Sequence, residues 1–136
     1  MQDFKQGDYH KYAWAIREAE RRFAIPENLL AKLLCHTSEG FNNEVISGTK
    51  HKHIGVCGIA KFTPDEGRYL AIDRLDPHGA IHAAGRYLRE LRDITHDWNK
   101  ALLAFRWGKE NFMAWHHAPA GPAPAAAREF VARVNA

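Results

Sequence analysis

IPENLLAKLLCHTSEGF, residues 25–41, is the stretch around which the rest of the chain is organised. Pro26 suits the first position of a helix, where its missing N–H removes no hydrogen bond and its fixed φ is already helical. Leu29, Leu30, Leu33 and Leu34 then recur at helical spacing and make one apolar stripe. The stripe gives way to a polar cluster, Cys35-His36-Thr37-Ser38-Glu39, and Gly40 is suited to terminate the helix. The pattern predicts a buried helix over residues 25–38 that carries a polar end, with the Glu39 carboxylate, towards a cleft. The same pattern also fits an ordinary core helix with a solvated end.

Upstream, a helix capped by Asp8 runs to about Phe23, with Tyr9, Tyr12, Ala13, Ile16, Ala19 and Phe23 on one face. Downstream comes a loop over residues 40–53, in which Thr49-Lys50-His51-Lys52-His53 reads as a solvated basic run. Gly55-Val56-Cys57-Gly58-Ile59 places two glycines in a short apolar segment, the mark of a turn or of close backbone approach. Thr63-Pro64-Asp65-Glu66 is a capping box with proline at the first helical position. Asp76-Pro77 repeats the device and opens a helix to about Arg92, with Ile81, Ala84, Leu88 and Leu91 inward. Asp97 caps another helix, containing Trp98, Ala101, Leu102 and Phe105, and a Pro/Ala-rich link over residues 118–124 precedes a last one with Phe130, Val131 and Val134. No stretch alternates as a strand does, and no segment repeats. Five or six short capped helices predict a compact all-α fold in a single domain, residues 1–136.

At 136 residues, 46% hydrophobic and 26% charged, the chain is long enough to bury a core without disulfide staples. A net charge of +3 does not nominate nucleic acid as a partner. No run is long and apolar enough to span a bilayer, and the first twenty residues lack the apolar core of a signal peptide. Cys35 and Cys57 have no metal-ligand spacing and are expected as two buried thiols. His51 with His53, and His116 with His117, lack a third ligand at suitable spacing, so neither a metal nor another cofactor is expected.

In order, TSEGF (37–41), GVCGIAKFTP (55–64), LDPHGAIHAAGRYLRELR (75–92), AFRWG (104–108) and AAREFVARV (126–134) resemble the motifs of the soluble lytic transglycosylase domain of the lysozyme-like superfamily, phage virion members above all. Those motifs run from an apolar helix into Glu-Ser-x-Phe. Gly-Ala-x-Gly-Leu-Met-Gln-Phe-x-Pro follows, then a helix opened by Asp-Pro. Ala-Tyr-Asn-x-Gly comes next, and a terminal Glu-Thr-x-x-Tyr-Val closes the set. The likeness covers about residues 9–134 and implies a lysozyme-like fold of about six short helices. It also implies peptidoglycan, as glycan strands or stem peptides, for a partner. In the family one Glu protonates the bond between N-acetylmuramic acid and N-acetylglucosamine. It then helps the muramyl 6-hydroxyl close a 1,6-anhydro ring, which requires a carboxyl kept protonated by an apolar site. Two tyrosines hold that Glu, and the Ser, Met-Gln and Asn line the sugar cleft.

The departures concentrate in the cleft. Counting from Leu29-Leu30-Ala31, the catalytic position falls on Thr37; counting back from Phe41, it falls on Ser38; Glu39 comes one or two places late, and one helical step is about 100°. Ala60-Lys61 stands for Met-Gln, Phe105 and Arg106 for Tyr and Asn, Phe130 for the terminal Tyr, and Ala126-Ala127 for Glu-Thr. Loss of a positioned general acid is worth about 10²–10⁴ in rate. The resemblance therefore implies a module that holds peptidoglycan, or serves a structural role, with cleavage weak or lost. Ser38, Ala60, Lys61, Phe105, Arg106 and Phe130 are its candidate binding residues. The alternative is an active transglycosylase that uses Glu39 as acid and base. A third reading is a basic helical nucleic-acid module in which Lys50, Lys52, Lys61, Arg86, Arg89 and Arg92 supply charge and Arg106 and Trp107 stack on bases, for which no recognition-helix motif is present. With no leader in the sequence, the expectation is a virion-associated protein, made in the host cytoplasm and in contact with neighbouring virion proteins. Lys61 and Arg106 are expected to meet in the cleft, where they would receive carboxylates.

Overall fold

A computed structural model describes residues 3–50 and 56–136. Among these residues eight helices and no named strand are formed: α1 Tyr9–Arg22, α2 Leu29–Thr37, α3 Asn43–Ile46, α4 Pro64–Leu70, α5 Pro77–Thr95, α6 Trp98–Trp107, α7 Lys109–His117 and α8 Ala125–Asn135. The all-α expectation holds, with two more helices than the six expected. α3 is a single turn whose N-cap, Asn42, accepts from the N–H groups of Glu44 and Val45. α7 buries one residue, Phe112, so its sequence carries little helical periodicity.

The fold is organised about α5, which packs against α1 and α6 and touches α2. Its inner face buries Ile81, Ala84, Leu88 and Leu91, and it runs to Thr95 rather than Arg92. Gly85 lets α1 come close: a Cβ there would lie 3.1 Å from the Phe23 ring and 3.2 Å from the Ala19 methyl. α6 carries α7 and α8, and α8 returns to α2. Leu30, Leu33 and Leu34 on α2 are fully buried in this core. Burying one such side chain contributes about 1.5–3 kcal/mol.

Local devices behave unevenly. Thr63 and Glu66 form the capping box, each side chain bonded to the other's backbone N–H, and Asp97 Oδ1 accepts from Lys100 N at 3.0 Å. Asp8 and Asp76 occupy N-cap positions without making a side-chain cap bond. Pro26 does not open α2. The helix starts at Leu29, because Asn28 adopts a left-handed conformation and the Glu20 carboxylate reaches across from α1. Glu20 is 4% exposed and accepts from the backbone N–H groups of Asn28 (3.2 Å), Leu30 (3.0 Å) and Ala31 (3.2 Å). A carboxylate here satisfies donors that the helix itself leaves unpaired and faces the positive end of its dipole.

Candidate functional site

A cleft of about 1000 Å³ opens between the C-terminal end of α2, the segment 56–63, α4, α6, α7 and α8. Its α2 wall is His36 and Thr37; its opposite walls include Glu66, Tyr69, Phe105, Trp107, Glu129 and Phe130. The loop bearing Ala60 and Lys61 is closed by a bridge between Cys57 and Phe62, and Lys61 N donates to Gly58 O at 3.1 Å. Gly58 has φ +83°, and a Cβ there would collide with the Arg74 carbonyl oxygen. Glycine is required at that point by both conformation and space.

The end of α2 decides the chemistry. Ser38 is the C-cap, Glu39 N donates to His36 O at 3.3 Å, and Gly40 N donates to Cys35 O at 2.7 Å. These are the two bonds of a Schellman turn, with Glu39 at the left-handed position that glycine usually fills. Glu39, Gly40 and Phe41 all have positive φ (55°, 79°, 55°), so the chain leaves the helix sharply instead of continuing it.

That turn fixes every candidate at this end. Ser38 is fully buried; its hydroxyl donates to Leu34 O at 2.6 Å and accepts from Phe41 N at 2.8 Å. It holds the turn and stands outside the cleft lining. Thr37 does line the cleft, but its hydroxyl donates to Ile59 O at 2.7 Å, which ties α2 to the Ala60–Lys61 loop. Glu39 is not among the lining residues: its carboxylate meets Lys61 Nζ at 2.6 Å and Lys50 Nζ at 3.2 Å. The Glu39 carboxylate thus stands outside the cleft lining, engaged by lysine ammonium groups.

Ala60, Lys61, Phe105, Arg106 and Phe130 are brought together on the cleft. The Phe105 ring lies 5.8 Å from that of Phe62 and 5.5 Å from that of Tyr87, and the Phe130 ring is edge-on to His36 at 6.4 Å. Both rings are nearly buried, so they seal the floor as hydrocarbon. Lys61 and Arg106 share the cleft, yet Lys61 is engaged by Glu39, which leaves Arg106 exposed and without an ion pair among the described residues.

The residues 14–125 match the family described as Transglycosylase SLT domain. The chain belongs to the transglycosylase SLT domain family. No curated protein and no solved structure matches it. Membership gives the SLT domain a lytic-transglycosylase-like function, with peptidoglycan as its substrate class. The match ends as α8 begins, so Phe130 and Arg133 reach the cleft from beyond the matched span.

Several lining residues of this SLT domain lie outside the cleft set that the resemblance implies: Glu66, Tyr69 and Tyr87, together with Trp107, which enters the sequence reading only as a ring to stack on bases. Burial raises the Glu66 carboxyl above its ordinary range, against the opposing pull of the Thr63 N–H and hydroxyl. Burial, reinforced by the charges of Glu66 and Glu90, pushes the Tyr87 hydroxyl upward as well. Tyr69 donates to both Glu90 oxygens (2.8 and 2.9 Å), and Lys109 reaches Glu90 at 3.2 Å. Chain position was the available signal, since Glu66 and Tyr69 follow the FTP motif and Trp107 follows Phe105-Arg106.

The proposed basic face is dispersed. Arg86 donates to Leu70 O, Arg89 pairs with Asp93 at 3.0 Å, and Arg92 lies over the Trp98 ring at 5.6 Å. Lys50 and Lys61 are on Glu39, while Lys52, His51 and His53 lie outside the described residues. His116 stacks on Phe112 at 5.4 Å. Cys35 and Cys57 are both buried thiols. Among the described residues no helix is long and apolar enough to cross a membrane, and no cluster of three or more His, Cys, Asp or Glu is placed to hold a metal ion.

Proposed function

We propose that this SLT domain engages peptidoglycan through its cleft and cleaves it weakly or not at all. The observation that carries the reading is the Schellman turn at the end of α2. Where the family places its acid, the two hydroxyls of Thr37 and Ser38 are committed to backbone groups, and the neighbouring carboxylate of Glu39 is turned onto Lys61 and Lys50. The tyrosines that would orient an acid are replaced by Phe105 and Phe130, which keep the packing and drop the hydroxyl.

The test uses purified sacculi. The protein is expected to sediment with them, and a digest at ordinary enzyme concentration is expected to yield no 1,6-anhydro-muropeptides. Glu39→Gln should leave both results unchanged. Anhydro products that disappear in Glu39→Gln would establish Glu39 as acid and base and reverse the reading. Anhydro products that survive Glu39→Gln and disappear in Glu66→Gln would reverse it too, in favour of the carboxyl that burial raises inside the cleft.

A further inference from the structure

Two aromatic rings on this cleft are fixed in place and yet reachable. Trp107 lines it at the corner where α6 ends, just before Gly108 with φ +104°. Its ring is half-buried and braced edge-on by Trp115 at 5.8 Å, and Trp115 is itself held by its indole N–H on Gly121 O at 2.9 Å. Tyr69 lines the cleft from α4 and is 58% exposed. Its hydroxyl is tied to Glu90, and Lys109 Nζ lies 5.5 Å from its ring centre. Large apolar rings exposed on a cleft and already immobilised cost little further entropy when a ligand covers them.

The charges around these rings select the ligand. Lys61 is paired with Glu39, Lys109 with Glu90, Arg68 with Asp65, and Arg133 lies 3.9 Å from Glu129. Apart from Arg106, these cations are matched by carboxylates, so the cleft offers little concentrated field for an acidic peptide. It offers aromatic faces among hydrogen-bonding groups, the arrangement that suits an uncharged, hydroxyl-rich ring with an apolar C–H face. The partly positive C–H groups of a pyranose meet the negative face of an aromatic ring, and its hydroxyls and amides meet the polar rim.

We propose that Trp107 and Tyr69 are the stacking platforms on which this cleft holds the pyranose rings of a glycan strand. The proposal rests on the peptidoglycan reading and selects the sugar, rather than the stem peptide, as the part that is gripped.

The probe is chitotetraose, an uncharged N-acetylglucosamine oligomer, titrated calorimetrically into the full chain, with sacculus sedimentation run in parallel. Trp107→Ala should weaken chitotetraose binding about tenfold, Tyr69→Ala should weaken it by about threefold, and Trp107→Phe, which keeps an aromatic face, should retain most of the affinity. Trp14→Ala, which removes an exposed ring on α1 outside the cleft lining, should leave chitotetraose binding unaffected. Circular dichroism of each variant establishes that the fold is kept, and Trp107→Phe carries the comparison if the alanine variant is unfolded. Wild-type affinity in folded Trp107→Ala and Tyr69→Ala overturns the proposal. A wild-type chain that sediments with sacculi but ignores chitotetraose overturns it and leaves the peptidoglycan reading standing. A chain that does neither overturns both.

Discussion

α2 meets a carboxylate at each end, and the two are used in opposite ways. At the N-terminal end Glu20, 4% exposed, accepts from three backbone N–H groups that the helix leaves unpaired, those of Leu30 and Ala31 buried and that of Asn28 half-buried. At the C-terminal end the Glu39 side chain is 33% exposed, in a left-handed conformation, and held by two lysines. The helix dipole explains part of the contrast. Negative charge is stabilised at the N-terminus and destabilised at the C-terminus, where it requires cations beside it. What the comparison teaches is that burial and proximity to a helix end do not make a carboxylate catalytic. Glu20 has the burial and builds the fold, whereas Glu39 has the family's approximate position and is neutralised at the rim.

The comparison breaks first at Glu20. Glu20→Ala strands two buried N–H groups, of Leu30 and Ala31, and the half-buried one of Asn28 at the start of the helix that builds the site. We expect a loss of about 3 kcal/mol, read as a fall of roughly 10 °C in Tm. A fall of only a degree or two would mean that water reaches those donors and that α2 does not depend on α1 for its start.

pH sharpens the same end. Burial raises the Glu20 carboxyl above its ordinary value, with the amides of Asn28, Ala31 and Leu30 and the charge of Arg17 pulling the other way. Because the folded state holds this proton more readily than the unfolded chain, the associated stabilisation is present below the unfolded pKa and is lost as pH rises through the folded one. Glu66, also raised, and His82, lowered by burial and by Arg22 and Arg86, contribute equally to wild type and to Glu20→Gln, and so cancel. The difference in unfolding free energy, wild type minus Glu20→Gln, should therefore grow on acidification from neutral pH into the carboxylate range. Denaturant titrations at a series of pH values measure it. A flat difference would place the Glu20 pKa at its unfolded value.

Which parts of this were legible in the sequence follows range along the chain. The capping box of Thr63 and Glu66 spans four residues, so its spelling is its structure. Gly58 was legible in kind, as close backbone approach, but not in partner, because Arg74 is sixteen residues away. Pro26 misled for the same reason: nothing near it reveals that Glu20, eight to eleven residues from the groups it binds, has taken over the helix start. The cleft residues Ala60, Lys61, Phe105, Arg106 and Phe130 were found through motif order, which records spatial convergence that spacing alone does not. Tyr69 lies between the motifs and gives no signal beyond its position, whereas Trp107 lies inside AFRWG, at the family's unspecified position, where its ring signals stacking without naming the ligand. Motif counting placed Glu39 out of register. Only the backbone shows the reason, a turn with three successive left-handed residues. The expected carriage on a phage particle has no residue of the fold to report it.

The smallest expected effect lies at the other end of α2, and it separates backbone from charge. A non-glycine residue in the left-handed conformation costs about 1 kcal/mol or somewhat more, which Glu39→Gly removes. Against that gain stand the loss of the partly exposed ion pairs with Lys61 and Lys50, worth about 0–1 kcal/mol each, and the larger entropy of glycine in the unfolded chain, about 0.4–1 kcal/mol. The terms nearly cancel, so Glu39→Gly should fall within about 0.5 kcal/mol of wild type. Glu39→Ala keeps the conformational cost and loses the same ion pairs but avoids the glycine entropy, and should be only about 0.5 kcal/mol less stable than Glu39→Gly. Urea titrations of the two variants beside wild type measure both differences. If Glu39→Gly instead costs as much as Glu20→Ala, the lysine-bound carboxylate anchors the rim as firmly as Glu20 anchors the helix start, and the contrast between the two ends fails.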